Sequence, residues 1–128
     1  MKKLILAILL IVASTSAMAE WTMWDEDNST KQYVDYASIR KTGDMVKMWN
    51  LQDHKTIKHE GNIPYLSTKG QDEYGCTSKT WRALSFIVFS GHMGGGKVLY
   101  QDVVRGEAKP VLLGSLGEAR WKVACGKK

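Results

Sequence analysis

Two cysteines constrain the fold of this chain more than any other feature. Cys76 and Cys125 are the only cysteines among its 128 residues. In an oxidising compartment a sparse, even number of cysteines predicts a single disulfide. Closing a loop of about fifty residues would stabilise the fold by roughly 4 kcal/mol in the chain-entropy model. A redox or metal site built on cysteine is the alternative, but it needs a CxxC motif or further ligands, and neither cysteine lies in such a motif.

The amino terminus predicts export. It has a basic start, an apolar run over residues 4–13 and a small-residue cleavage site over residues 17–19. This pattern is typical of a secretory signal peptide, here residues 1–19, followed by one domain over residues 20–128. No apolar run is long enough to cross a bilayer, and no cysteine stands at the cleavage site. We therefore expect an exported protein, periplasmic or at the cell surface or secreted, with no transmembrane segment and no lipid anchor.

Short segments of alternating or apolar residues predict a sheet. Polar residues 52–64 and Gly70 are predicted as connections, and residues 36–40 as one helical turn. The apolar run Phe86–Phe89 predicts a central, covered strand. The predicted strands are residues 21–24, 32–35, 45–51, 74–80, 82–90 and 97–104.

One helix is predicted near the carboxyl terminus. Ser115 and Glu118 have the spacing of a capping box, and Cys125 lies at the end of the predicted helix. A disulfide to Cys76 would therefore attach this helix to the sheet. The fold class is α+β: an antiparallel sheet of about six strands with a carboxyl-terminal α-helix across one face.

Catalytic and metal-binding patterns are incomplete. Residues 91–97 match G-x-x-x-x-G-K, but Val98 replaces the Ser or Thr of a phosphate loop, and a strand rather than a helix is predicted next. His54, His59 and His92 lack the further ligands of a zinc site, and no G-x-S-x-G elbow occurs. We predict no enzyme, no metal and no cofactor. A small hydrolase or ligand carrier that uses the three histidines is the remaining alternative.

Charge and aromatic residues favour protein partners. The formal net charge is +5, but the basic residues are spread along the sequence and form no Lys/Arg-rich block, so nucleic-acid binding is not expected. Lys79, Trp81 and Arg82 place two cations around an aromatic ring near Cys76 and form a weak candidate binding patch. The alternative for this segment is a strand with solvated charges. Most of the tryptophans in predicted elements are expected in the core: Trp21, Trp49, Trp81 and Trp121.

Several short motifs, in order over residues 21–125, give the chain a family resemblance. Together they resemble the surface-adhesin protein E family of bacterial envelope proteins. The motifs are Tyr33-Val34-Asp35, Ser38-Ile39-Arg40, Val46-Lys47-Met48-Trp49, Tyr74-Gly75-Cys76, Arg82-Ala83-Leu84, Phe89-Ser90-Gly91, Met93-Gly94-Gly95-Gly96, Pro110-Val111 and Trp121-Lys122-Val123-Ala124-Cys125.

The resemblance implies a fold and a function. It implies a twisted antiparallel sheet with a carboxyl-terminal helix held by a Cys76–Cys125 bridge. It also implies a non-enzymatic binding protein that contacts host matrix or serum proteins, such as vitronectin, laminin and plasminogen, and that can form a homodimer. The alternative is a periplasmic accessory or structural protein that binds another envelope component. No ligand-contact residue is carried over from the family.

Overall fold

The computed structural model describes residues 20–126, in which one antiparallel sheet carries one α-helix. Six main strands lie side by side in the order of the sequence, and the two-residue strand β7 pairs with the start of β5. This confirms the predicted fold class. The strands are β1 (Thr22–Glu26), β2 (Thr30–Thr42), β3 (Met45–Glu60), β4 (Ile63–Gly75), β5 (Thr80–Phe89), β6 (Val98–Val103) and β7 (Lys109–Pro110), and the helix is α1 (Leu116–Cys125).

Two-residue turns explain why β2, β3 and β4 are so long. Gly43 and Gly61 begin these turns with φ of 61° and 60°, a backbone conformation that glycine adopts without strain. The predicted polar connection over residues 52–64 is therefore wrong, since most of it forms the two arms of the β3–β4 hairpin. Its side chains are largely exposed, and a strand that extends past the core can be polar on both faces. The connection predicted at Gly70 is also wrong, because β4 continues through Gly70 opposite Asn50.

An irregularity in β2 replaces the predicted helical turn at residues 36–40. The pairing of β2 with β3 shifts between Asp35 and Arg40, but the chain stays extended. The hydroxyl of Ser38 donates to the carbonyl of Asp35 and accepts from the backbone N–H of Trp49 at 3.0 Å. This side chain thus replaces a ladder hydrogen bond at the bulge.

The core lies between α1 and one face of the sheet, which we call the helix face. Its buried apolar side chains are Val34, Val46, Met48, Tyr74, Trp121 and Ala124. The expectation that Phe86–Phe89 is a covered run is wrong for three of its residues, because only Phe89 is buried while the other three are half-buried. Strand β5 lies between β4 and the edge strand β6, and the main contacts of α1 with the sheet fall on β3 and β4 instead.

A cap fixes the start of α1, and two contacts attach the helix to the sheet. Ser115 caps the helix by accepting from the backbone N–H of Glu118 at 3.1 Å, as the capping-box spacing predicts. The indole Nε1 of Trp121 donates to the buried carbonyl of Gly75 at 2.9 Å. The predicted disulfide between Cys76 and Cys125 is confirmed, with 5.7 Å between the two Cα atoms.

Candidate binding surface

The part of the helix face that α1 leaves uncovered forms an apolar groove of about 570 Å³. Aromatic and aliphatic side chains form its floor and walls, and one carboxylate lies among them. The lining residues are Glu60, Ile63, Tyr65, Thr68, Phe86, Val88, Leu99 and Tyr100. A concave apolar surface with few polar groups is typical of a binding site.

Strand register brings the groove residues together from distant parts of the sequence. Thr68 of β4 lies opposite Val88 of β5, which in turn lies opposite Tyr100 of β6, so the three side chains share one face. The ring of Phe86 stacks on that of Tyr100, with 5.4 Å between the centroids. The sequence prediction missed this site, although the apolar run at residues 86–89 was a sign of it.

Strand β6 forms an open edge beside the groove. Within residues 20–126 it pairs with β5 alone, so its outer edge is left without a neighbouring strand. Val98, Tyr100 and Val103 are all more than half exposed. An exposed apolar edge strand can accept an extended segment of a partner by adding a strand to the sheet.

The glycine-rich segment after β5 folds onto the opposite face of the sheet. Ser67 uses its hydroxyl to accept from the N–H of Gly94 at 2.9 Å and to donate to the carbonyl of Gly91 at 2.6 Å. Asp53 accepts from the N–H of Met93 at 2.9 Å. Because these backbone groups are used internally and a strand follows, the segment acts as a structural turn and does not form a phosphate loop.

The three histidines lie in three different environments. The Nδ1 atom of His54 is 3.1 Å from the hydroxyl of Thr30, and that of His92 is 3.1 Å from the carboxylate of Asp53. His59 is exposed on β3. Within the part of the chain that the structure describes, no three His, Cys, Asp or Glu side chains converge as metal ligands.

Lys79, Trp81 and Arg82, the predicted binding patch, do not converge on one surface. The ammonium of Lys79 lies 5.1 Å from the ring of Trp121, at the end of the molecule that carries α1. Trp81 packs against the core cluster. Arg82 forms an ion pair with Glu73, with 2.8 Å between its Nη2 and the carboxylate. Neighbouring residues in a strand point to opposite faces, which separates Arg82 from the other two side chains.

A buried polar cluster lies beneath α1. Asp72, only 8% exposed, accepts from the side-chain amide of Asn50 at 2.9 Å. Burial raises the pKa of Asp72, and the nearby positive charge of Arg120 partly opposes this rise. Burial and the adjacent negative charge of Asp72 also raise the pKa of Tyr74. These groups satisfy one another within the core, so we assign them a structural role.

The tryptophans are less buried than the sequence suggested. Of the four expected mainly in the core, only Trp121 is fully buried. On the face opposite α1, the ammonium of Lys69 lies 4.9 Å from the ring centroid of Trp49 and 5.8 Å from that of Trp21. These cation–π contacts give half-buried rings a structural role outside the core.

The fold and its open groove define a small antiparallel-sheet protein with a disulfide-linked terminal helix and an uncovered apolar surface. The chain belongs to the surface-adhesin protein E family, whose model matches residues 21–126. No curated protein sequence matches the chain.

Solved structures of protein E from Haemophilus influenzae share the fold. One is 10% identical with a TM-score of 0.61, and 88% of each chain is covered. A second crystal form is 10% identical with a TM-score of 0.59, and covers 86% of this chain and 97% of the other. Protein E from the non-typeable organism is 11% identical with a TM-score of 0.55, and covers 88% of this chain and 79% of the other. No helix within residues 20–126 is long and apolar enough to cross a membrane.

Proposed function

We propose that this chain is a non-enzymatic envelope adhesin that binds a host matrix or serum protein through the apolar groove beside β6. The single observation that carries this proposal is the groove itself, an uncovered aromatic surface beside an open strand edge. Family membership supports the adhesin role. Burying such a surface against a partner would stabilise a complex by about 25 cal/mol per Å² of apolar area, before the costs of association.

A matched pair of tyrosines tests the groove. Tyr100 lines it and is 53% exposed, whereas Tyr36 on β2 lies outside it and is 50% exposed. Substitution of an interface tyrosine by alanine often costs about 2 kcal/mol, or roughly thirtyfold in Kd. We expect Tyr100→Ala to weaken binding to immobilised vitronectin, laminin or plasminogen by at least tenfold at physiological salt, and Tyr36→Ala to leave it unchanged.

Salt dependence and location complete the test of the adhesin role. Loss of all binding at modest salt would show charge attraction alone and would contradict a groove-based complex.

Protease treatment of intact cells should remove the protein while a periplasmic control stays intact. If the protein is protected until the outer membrane is broken, the alternative proposal holds: a periplasmic accessory protein that binds another envelope component. Mass measurement of the purified protein would test cleavage after Ala19.

A homodimer through the β6 edge is a further part of this proposal. Pairing of two β6 strands would join two sheets through backbone groups in the plane of each sheet and leave both helix faces open. The substitution Val103→Lys places a charge on this edge at an exposed site. Sedimentation equilibrium should show a dimer for the native protein and a monomer for the variant. A native monomer would contradict the homodimer but not the adhesin role.

A further inference from the structure

The loop between β7 and α1 presents leucines to solvent. Leu113 is 88% exposed, Leu112 is 66% exposed and Leu116, in the first turn of α1, is 39% exposed. We call these three residues the leucine tip. Single exposed apolar residues are normal, but a cluster at one protruding loop indicates an interaction site.

Hydrogen bonds hold this loop in its outward shape. The backbone N–H of Ser115 donates to the carbonyl of Leu112 at 3.2 Å, and its hydroxyl donates to the same carbonyl. The N–H of Gly114 donates to the carboxylate of Glu118 at 3.1 Å. The loop therefore has its own internal bonding, and the leucine side chains extend away from the core.

Three lysines lie in the elements next to the leucine tip. Lys109 lines a shallow cleft together with Leu112, and its ammonium lies 5.9 Å from the ring of Trp81. Lys79 is held beside the loop, since its carbonyl accepts from the N–H of Val111 at 2.9 Å. Lys122 is exposed on α1, one turn after Glu118.

Acidic groups only partly offset these charges. Glu118 is engaged by the loop and lies 3.9 Å from the ammonium of Lys122. Glu107, two residues before Lys109, is the one exposed carboxylate between residues 107 and 126. Lys79 and residues 107–126 together carry four basic side chains and two carboxylates, and the carboxylate of Asp44 is bound to Thr77, so a small positive charge remains beside the tip.

We propose that this end of the molecule contacts an anionic phospholipid surface. The leucine tip enters the boundary between headgroups and acyl chains, and Lys79, Lys109 and Lys122 face the lipid phosphates. A protruding apolar tip with basic neighbours suits a lipid interface, which accepts a convex insert without a preformed pocket. The aliphatic stems of the lysines can lie along the apolar layer while their ammonium groups reach the phosphates.

The lipid site is separate from the groove. The tip follows β7, which pairs with Thr80 and Trp81 at the start of β5, whereas the groove uses Phe86 and Val88 further along that strand. Binding to lipid and binding to a host protein can therefore fail independently. Tyr100→Ala should retain lipid binding, and a protein that binds lipid but no matrix protein would contradict the groove proposal alone.

Vesicle sedimentation tests the leucine tip. We would use the processed protein purified from cells that express the full chain, with vesicles of phosphatidylglycerol or of phosphatidylcholine in about 0.1 M salt, where screening beyond about 10 Å leaves only close charge contacts. We expect binding to phosphatidylglycerol, at least tenfold weaker binding to phosphatidylcholine, and at least a tenfold loss for Leu112→Ser/Leu113→Ser. Ile57→Ser, at a residue that is 56% exposed on β3 and lies outside both the groove and the leucine tip, is the control and should bind normally.

A second pair of variants tests the charges. Lys109→Gln should weaken binding to phosphatidylglycerol about fivefold, which corresponds to about 1 kcal/mol for one basic residue near an anionic surface. Lys97→Gln, at an exposed lysine after the glycine-rich turn, should have no effect. The proposal is overturned if the native protein does not bind these vesicles, if the leucine variant binds as well as the native protein, or if both lysine variants lose binding equally. Tip-dependent binding to an envelope protein in the absence of lipid would also overturn it.

Discussion

At the scale of single residues, His54 shows how the sheet changes the chemistry of a side chain. It is buried, its Nδ1 lies 3.1 Å from the hydroxyl of Thr30, and its ring packs edge-on against that of Tyr65 with 5.6 Å between centroids. Burial, with a smaller effect from the positive charge of Lys58, lowers the pKa of His54 below its usual value of 6.5. His54 therefore binds a proton less readily in the folded protein than in the unfolded chain.

This shift predicts a pH dependence of stability. Well above pH 6.5 His54 is neutral in both states, so its contribution to the free energy of unfolding is constant. As the pH falls from 6.5 towards the lowered pKa, the unfolded state binds more protons and stability decreases. Urea unfolding at several pH values should show this decrease, and His54→Gln should reduce it. The control His59→Gln changes an exposed histidine and should keep the slope; an unchanged slope in His54→Gln would contradict the assignment.

At the scale of an element, the glycine-rich turn depends on conformation and on space. Gly96 has φ of 72°, and a Cβ at this position would lie 2.9 Å from the backbone nitrogen of Gly91 and against the hydroxyl of Ser90. Gly114 has a similar φ of 77° with nothing within 4 Å. A comparison of substitutions at the two glycines therefore distinguishes backbone strain, which both would have, from steric crowding, which only Gly96 would have.

Alanine substitutions at these glycines should differ in cost. Gly114→Ala carries only the left-handed backbone cost, about 1–2 kcal/mol. Gly96→Ala should cost about 1–3 kcal/mol more, since crowding against Gly91 must displace the turn. The midpoint of urea unfolding measures both effects. Equal destabilisation by the two substitutions would show that the turn has room for a methyl group.

The helix cap makes a second prediction at the element scale. Ser115 accepts from the N–H of Glu118, and loss of such a cap costs about 1 kcal/mol. Ser115→Ala should lower the free energy of unfolding by about that amount. Ser115→Asp keeps an acceptor at the cap and should stay close to the native protein, so equal losses in both variants would assign the effect to the bond from Ser115 to Leu112 instead.

At the scale of the whole molecule, the disulfide joins α1 to the sheet across 49 residues of sequence. Cys76→Ala/Cys125→Ala should lower the free energy of unfolding by about 4 kcal/mol, because the unfolded chain regains the freedom that the bridge removes. Reduction of the native protein should give a similar loss, and the double variant should not respond to reductant. Tryptophan fluorescence would report whether Trp121 stays buried, and a loss below about 1 kcal/mol would contradict the chain-entropy account.

Much of the architecture followed from local sequence signals. Two cysteines in a chain with an export signal predicted the bridge, because only cysteine forms a disulfide. The Ser115–Glu118 spacing predicted the start of α1, because a helix cap involves only a few neighbouring residues. Gly61 could have indicated the β3–β4 hairpin, but the polar content of residues 52–64 masked it.

The candidate binding surfaces could not be predicted from local sequence signals. Tyr65, Phe86 and Tyr100 belong to three strands, and only the register of those strands makes them neighbours. Periodicity indicates that a face is apolar, but it does not indicate how far a helix of ten residues extends over a sheet of seven strands. The extent of this cover left Phe86 and Val88 open and buried Asp72 and Asn50.

The sequence by itself determined the α+β class, the carboxyl-terminal helix and the covalent bridge, since these depend on local conformation and on cysteine chemistry. Only the tertiary structure decided which apolar residues became core and which became surface. Burial depends on what packs above a residue, and here α1 covers one end of the helix face while the other end stays exposed as the groove. The same packing turned the leucines of the β7–α1 loop outward, because α1 meets the sheet through Trp121 and Ala124 instead.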